Sequence, residues 1–102
     1  VHVDAALREY IVNLVAATRT HADVYLGASP RGSLALFKTA QALAAVRGRD
    51  YVLPDDVKAM AKATLAHRII VNPASRMRDF ASDMVVAEAL TSVPIPGVRA
   101  SR

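Results

Sequence analysis

Cysteine is absent from the 102 residues, so the chain has no disulfide framework and no thiolate chemistry. That fits a reducing compartment, and a cytoplasmic location is the expectation. Tryptophan is also absent and aromatics reach only 5%, whereas Ala and Leu abound and hydrophobic residues make up 53%. Such a balance favours closely packed helices over a sheet, because Ala and Leu are strong helix formers and let helices approach. No apolar run approaches the ~20 residues needed to cross a bilayer, so no membrane span is expected. Signal-peptide architecture is lacking, and the chain opens with Val1 instead of Met. That opening predicts a domain boundary, with more of the protein upstream.

Charge of one sign is only modestly in excess. Ten Arg and three Lys face nine acids, for a formal net charge of +4, and Arg99 and Arg102 in the tail supply two of the surplus. The charges are spread along the chain. Spread charge reads as a solvated surface, whereas a nucleic-acid footprint needs a clustered stripe, so no nucleic-acid partner is expected.

The residues that remain form helical stripes separated by Gly and Pro. From about Asp4 to Thr20, Leu7, Ile11, Leu14, Val15 and Thr18 recur at helical spacing with Tyr10 beside them, and Asp4 is placed as N-cap. The connector to Ala28 holds the apolar run Val24-Tyr25-Leu26, expected to pack an end of the bundle without forming a sheet. A second helix starts at Ser29-Pro30, a favoured cap followed by a residue suited to the first helical position. Its stripe is Leu36, Ala40, Leu43 and Ala44, flanked by Phe37 and Val46, and Gly48 closes it. A third helix runs from Pro54 to about Arg68, with Val57, Met60, Ala61, Thr64, Leu65 and Arg68 at helical spacing and Asp55 and Asp56 opposing the positive end of its dipole. Leu53 occupies its cap position and cannot accept a hydrogen bond there. Between Ile69 and Ala81 the pattern breaks: Ile69-Ile70-Val71 suits a short extended piece, Asn72-Pro73 a turn, and Asn72–Asp79 a basic loop carrying Arg76 and Arg78. A last helix spans about Ser82 to Ser92, burying Val86, Ala89 and Leu90, before Pro94 and Pro96 stop it. The predicted fold class is all-α, a four-helix bundle with a short extended segment in a connector.

The informative motif is Gly27-Ala28-Ser29-Pro30-Arg31-Gly32. It puts Arg31 in the first turn of a helix, where backbone amides lack partners and the dipole is positive. A cation there is locally unfavourable by a few tenths of a kcal/mol up to ~1. An anion would complete such a site, and phosphate suits both the guanidinium fork and the helix end. The alternative is an Arg31 that points to solvent or pairs with a nearby acid.

The run from Leu26 to Asp50, with Tyr51-Val-Leu-Pro-Asp-Asp-Val57, Leu65-Ala-His-Arg-Ile69, the upstream Tyr10-Ile-Val-Asn-Leu-Val-Ala-Ala-Thr-Arg19 and the closing Val93-Pro-Ile-Pro-Gly97, resembles the C-terminal helical lid of MoxR-family AAA+ ATPases. Magnesium-chelatase-type subunits carry a related lid. The likeness covers nearly the whole chain and is most specific from Leu26 to Val57. It departs at Leu53, where the pattern commonly has a capping Thr or Ser, and in the Asn72–Asp79 loop. The resemblance implies a four-helix AAA+ lid over residues 1–97 with a flexible tail, 98–102. It also implies that Arg31 is the sensor-2 residue facing nucleotide phosphates, with Ser29 and Pro30 setting up its helix, and that Tyr10, Ile11 and Gly27 lie against the adenine. Further implied are ATP and Mg²⁺ in the full-length protein and an upstream AAA+ core domain as partner. The same likeness implies a hexameric ring and a chaperone-like action on a client protein.

The sequence has no G-x-x-x-x-G-K-[ST] loop and no apolar strand ending in paired acids, so the parts that hold phosphates and Mg²⁺ are expected on the upstream core, and this chain alone should not hydrolyse ATP. His2, His21 and His67 share no metal-ligand spacing, so no metal site is expected. Met60, Met77 and Met84 read as core or near-core fillers. Arg47 and Arg49 read as solvated or dipole-complementing. A basic DNA-binding module and an adaptor bundle without a nucleotide role are the rival functions; the first needs an exposed recognition helix, which these Ala-rich faces do not supply.

Overall fold

Six apolar or hydroxyl-bearing side chains at helical spacing explain the first element of the computed structural model, which describes residues 1–77 and 81–96. Helix α1, Ala5–Thr20, buries Leu7, Tyr10, Ile11, Leu14, Val15 and Thr18 along one side. Asp4 does hold the cap position, but its carboxylate makes no capping bond; its carbonyl accepts from Leu7 and Arg8 at 3.0 Å each. Ahead of the helix, His2 pairs in parallel with Tyr51, donating to Asp50 at 2.7 Å and accepting from Val52 at 2.9 Å. That bridge seats Val3 and Val52 in the core.

Helix α2, Pro30–Val46, follows Ser29, whose hydroxyl accepts from the Arg31 amide. Its buried stripe is Gly32, Leu36, Ala40 and Ala44, a strict fourfold repeat; Leu43 is only half-buried and Val46 is exposed. Small residues on this stripe permit close approach, and α2 packs most extensively against helix α3, Pro54–Leu65, which buries Val57, Ala61, Thr64 and Leu65. The Thr39 and Thr64 hydroxyls meet at 3.1 Å across that interface. Fully burying side chains of the size of Leu36 and Leu65 contributes ~1.5–3 kcal/mol each.

Between α2 and α3 the chain reverses at Gly48, whose φ of 81° lies in the left-handed region. Gly48 donates to Ala45 at 3.0 Å and Arg49 to Ala44 at 2.9 Å, the paired bonds of a Schellman closure. The reversal aims both flanking arginines at Asp56, so the solvated role expected for Arg47 and Arg49 does not hold. Arg49 grips the carboxylate through two bonds, Nη1–Oδ2 at 2.7 Å and Nη2–Oδ1 at 2.8 Å, and Arg47 adds Nη1–Oδ1 at 3.1 Å. Asp56 is fully buried and also accepts from the Leu53 amide at 2.8 Å. The missing hydroxyl at position 53 is therefore offset by a carboxylate reaching back to the cap amide, half of a capping box. Two guanidinium groups hold the Asp56 carboxyl below its ordinary 3.8, at about 2, chiefly through the Arg49 hydrogen bonds.

α3 ends at Leu65 and tightens into a 3-10 turn, Ala66–Arg68, so Arg68 lies beyond the helix proper. Two corrections follow it. The run Val24–Leu26 forms strand β1 and pairs antiparallel with strand β2, Ile70–Val71, with Val24 opposite Val71 and Leu26 opposite Ile70. Both segments carry backbone groups that need partners, and they find them in each other. Asn72-Pro73 opens a short helix α4, Pro73–Met77, because Asn72 caps it through Oδ1 to the Ala74 amide at 3.2 Å. Asn followed by Pro starts a helix as readily as a turn. Arg78 and Asp79 of the expected basic loop, and the 98–102 tail, lie outside the described residues.

Helix α5, Ser82–Ser92, buries Val85, Val86 and Ala89, with Leu90 half-buried against the same core. Its Glu88 meets His21 at 2.6 Å, tying α5 to the end of α1. Met60 packs partly against the core, but Met77 and Met84 are exposed and fill nothing. The architecture is a mostly helical bundle with one two-stranded ribbon at its side.

Candidate functional site at the start of α2

Thr18 and Arg19 decide where α2 begins. The Thr18 hydroxyl, fully buried, donates to the Val15 carbonyl at 2.6 Å and accepts from the Ala28 amide at 3.1 Å. Arg19 Nη1 donates to the Ala28 carbonyl at 2.8 Å. Both main-chain groups of Ala28, itself fully buried, are thus held by side chains from the last turn of α1. Gly27 makes the approach possible. A Cβ there would stand 2.6 Å from Arg19 Cα and 2.7 Å from its nitrogen, closer than real contacts allow.

The anchored connector delivers Ser29, Pro30 and Arg31 to the surface. All three are exposed. Ser29 accepts from the Arg31 amide at 3.2 Å through Oγ and from the Gly32 amide at 2.8 Å through its carbonyl. Two amides expected to be open are therefore occupied by the cap. What the helix end offers an anion is its dipole and the Arg31 guanidinium. Among the described residues the Arg31 side chain makes no hydrogen bond, and no acid forms an ion pair with it.

Gly27, Ser29, Pro30 and Arg31 thus share one corner of the molecule. Tyr10 and Ile11 do not join them; each is 2% exposed and belongs to the core. Tyr10 borders a cavity with Ala6, Glu9, Asn13 and the Pro94–Pro96 segment, and its hydroxyl is buried with no hydrogen-bond partner among the described residues. Burial pushes the phenol up from its usual 10.0. Ile11 lies under an apolar groove between α1 and α2, lined also by Arg8, Val12, Ser33, Leu34 and Phe37, where Arg8 rests 5.7 Å from the Phe37 ring centre.

Thr18 and Arg19 were not singled out by sequence reasoning as parts of this corner. A hydroxyl on an otherwise apolar stripe was the available signal for Thr18, since a buried hydroxyl must bond to something. For Arg19 there was none, because its partner is set by tertiary packing.

Comparisons with known proteins converge on one kind of molecule. Residues 16–89 match a family model described as the AAA lid domain. The chain is 43% identical over 99% of its length to the uncharacterized protein YeaC of Bacillus subtilis, covering 32% of that protein. It is 36% identical over 96% of its length to the chaperone MoxR1 of Mycobacterium tuberculosis, covering 28%, and 34% identical over 93% to the protein MoxR of Paracoccus denitrificans, covering 32%. A crystal structure from Cytophaga hutchinsonii, provisionally named an ATPase, superimposes with a TM-score of 0.89 at 35% identity over 93% of this chain and 32% of that one. The chain therefore spans about a third of the length of these relatives.

Proposed function

The chain belongs to the AAA lid domain family, and from that premise we propose that it is the nucleotide-sensing lid of an ATP-driven remodelling ATPase of the MoxR kind. The observation that carries the reading is Arg31: an exposed arginine, without an acid partner among the described residues, on a helix start that Thr18 and Arg19 anchor from α1. A cation whose backbone position is fixed and whose guanidinium has no competing acid is available to the charge of a transferring phosphoryl group. Ser29 and Pro30 set the helix that presents it. Gly27 sets the close approach behind it.

ATP is the ligand this reading implies, and the exposed guanidinium at a helix start suits its phosphates. The phosphate loop and Mg²⁺ ligands belong to a core domain outside this chain. Among the described residues no three His, Cys, Asp or Glu side chains cluster so as to hold a metal ion, and no metal-dependent step is assigned to them. Residues 1–97 work as one lid unit that moves as a rigid body when nucleotide binds, and coupling to a ring of subunits in the cytoplasm turns that motion into work on a client protein.

The test is Arg31→Ala in the full-length ATPase. ATP turnover is expected to fall at least ~10-fold, because removing one preorganised donor from such a site typically slows the chemistry by more than that. Turnover and nucleotide affinity both at the wild-type level would end the sensor reading.

A further inference from the structure

Val12 on α1 and Leu34 on α2 are 52% and 55% exposed and stand on the two walls of one apolar groove. The charge along it is of one sign. Arg8 lines it and rests on the Phe37 ring, and Lys38 follows one turn after Leu34 on the same side of α2. Helix α2 carries Arg31 and Lys38 and no acid, and no acid lines the groove. Glu9, the one acid on α1, borders the cavity beside Tyr10 instead. Among the described residues neither Arg8 nor Lys38 forms an ion pair. Exposed aliphatic walls with unpaired cations beside them suit an amphipathic helix that brings acids.

Helix α5 has that character. It holds Asp83 and Glu88 and neither Lys nor Arg, and among the described residues it is the one helix with acids alone. Its outward side is Asp83, Met84, Ala87, Glu88 and Thr91, all exposed, with Met84 at 46%. Spacings of three and four place Met84, Ala87, Glu88 and Thr91 on one face. Within one molecule α5 and the groove do not meet. α5 reaches α1 at Ala17 and at His21 just past its end, whereas the groove runs along Arg8 and Val12. Val12 and Ala17 are five residues apart, roughly 140° around α1. A groove laid on a second groove would set cation against cation, whereas α5 laid in it sets acid against cation. Charge therefore selects a head-to-tail contact over a two-fold one.

We propose that the α1–α2 groove is an interface between copies of this protein, filled by helix α5 of the next copy. Met84 lies against Val12 and Leu34, and the acids of α5 run along Arg8 and Lys38. An 11-residue helix is about 16 Å long, so this contact is smaller than the roughly 1,200–2,000 Å² of a stable interface. It is weak alone and works where the rest of each protein, about two thirds of the length in the relatives, holds copies side by side. Nothing in the contact depends on nucleotide sensing by Arg31.

The experiment uses the full protein that carries this domain. Cysteine is absent from the 102 residues, so a single one can be introduced on each surface. Copies bearing Leu34→Cys are mixed with copies bearing Met84→Cys and oxidised, and mass spectrometry of the digest quantifies the peptide pair that joins positions 34 and 84. In that mixture only two different copies can form it. The pair is expected, and it should exceed the one formed when Val46→Cys, exposed at the far end of α2, replaces Leu34→Cys. Lys38→Glu in the first copy should cut the 34–84 link about 10-fold, because like charges across an interface suppress pairing. Asp83→Lys in the second copy should then restore it. Absence of the 34–84 link, a link no stronger than the Val46→Cys control, or no restoration by Asp83→Lys overturns the proposal. So does a link from position 34 to another part of the protein in place of position 84, which gives the groove a different occupant. If Leu34→Cys does not fold, Val12→Cys on the opposite wall replaces it, with the same outcomes.

Discussion

The amide of Ala28 donates to the hydroxyl of Thr18 at 3.1 Å, and both residues are wholly buried. Thr18→Val keeps the shape and deletes the acceptor, leaving the Ala28 N–H without a partner in the interior. A buried orphan donor costs ~1–3 kcal/mol. The expected outcome is a melting temperature lower by ~4–8 °C for each kcal/mol lost, as expected for a domain of this size. Arg31 would be displaced with the connector, so ATP turnover in the intact ATPase should fall as well. Wild-type stability in Thr18→Val would show that Ala28 is held by something else.

Gly27 and Gly48 separate two uses of glycine. A Cβ at Gly27 meets Arg19 main-chain atoms at 2.6 and 2.7 Å, whereas at Gly48 nothing lies within 4 Å and the burden is its φ of +81°. Gly27→Ala should destabilise by ~1–3 kcal/mol through overpacking. Gly48→Ala should destabilise by roughly 1–2 kcal/mol through left-handed strain. Denaturant melts should therefore place both variants below wild type. Only Gly27→Ala should also impair ATP turnover in the full protein, since only it moves the start of α2. Equal impairment by both would argue that general loosening, and not the position of α2, governs activity.

Helix stripes in α1 and α3 and the Ser29-Pro30 start were legible because each depends on neighbours within a few residues. Ser29 caps α2 as its residue type predicts, and Val57, Ala61 and Leu65 face inward as their spacing predicts. The β1–β2 ribbon was not legible: Val24 and Val71 pair across nearly half of the chain, and a three-residue apolar run says nothing about its distant partner. Arg47 and Arg49 misled for a related reason. Beside a helix-closing glycine they have the composition of a solvated end, and only the chain reversal shows that both converge on Asp56. At the candidate site, Arg31 and its cap could be read locally. The clamp from Thr18 and Arg19 required the packed bundle.

Asp56 gives the domain an acid limit. Its folded pKa of about 2 lies below the ordinary 3.8, so the fold favours the carboxylate. A depressed carboxyl contributes stability that is fully present above the unfolded pKa and lost as pH falls through the folded one. Here that window runs from about pH 4 down to about pH 2, and the contribution is on the order of 2 kcal/mol. Asp56→Asn should remove most of it at neutral pH, since the amide cannot pair with Arg49 and Arg47 as the carboxylate does. Urea melts of both forms between pH 2 and pH 7 would check this: the gap between wild type and Asp56→Asn should be constant above about pH 5 and should close toward pH 2. A gap that persists unchanged to pH 2 would mean that packing, and not charge, makes Asp56 important.

Arg31 separates stability from function in opposite directions. It is the second residue of α2, one position after Pro30, and its side chain is exposed, so it opposes the helix dipole with little burial to compensate. Its capping bond uses the backbone amide to Ser29 Oγ, which any substitution other than proline retains. Arg31→Glu should therefore stabilise the 102-residue domain, by a few tenths of a kcal/mol up to ~1, because a carboxylate at that position complements the dipole. The gain should shrink in high salt, where a Debye length of ~3 Å at 1 M screens an exposed charge. In the intact ATPase the same substitution sets a negative charge against the nucleotide phosphates, so turnover should fall further than in Arg31→Ala. Thermal melts at low and high salt, paired with turnover of the full protein, check both halves. A destabilised Arg31→Glu domain would mean that Arg31 is tied into the fold, and the case for a side chain held ready for an external anion would lose its footing.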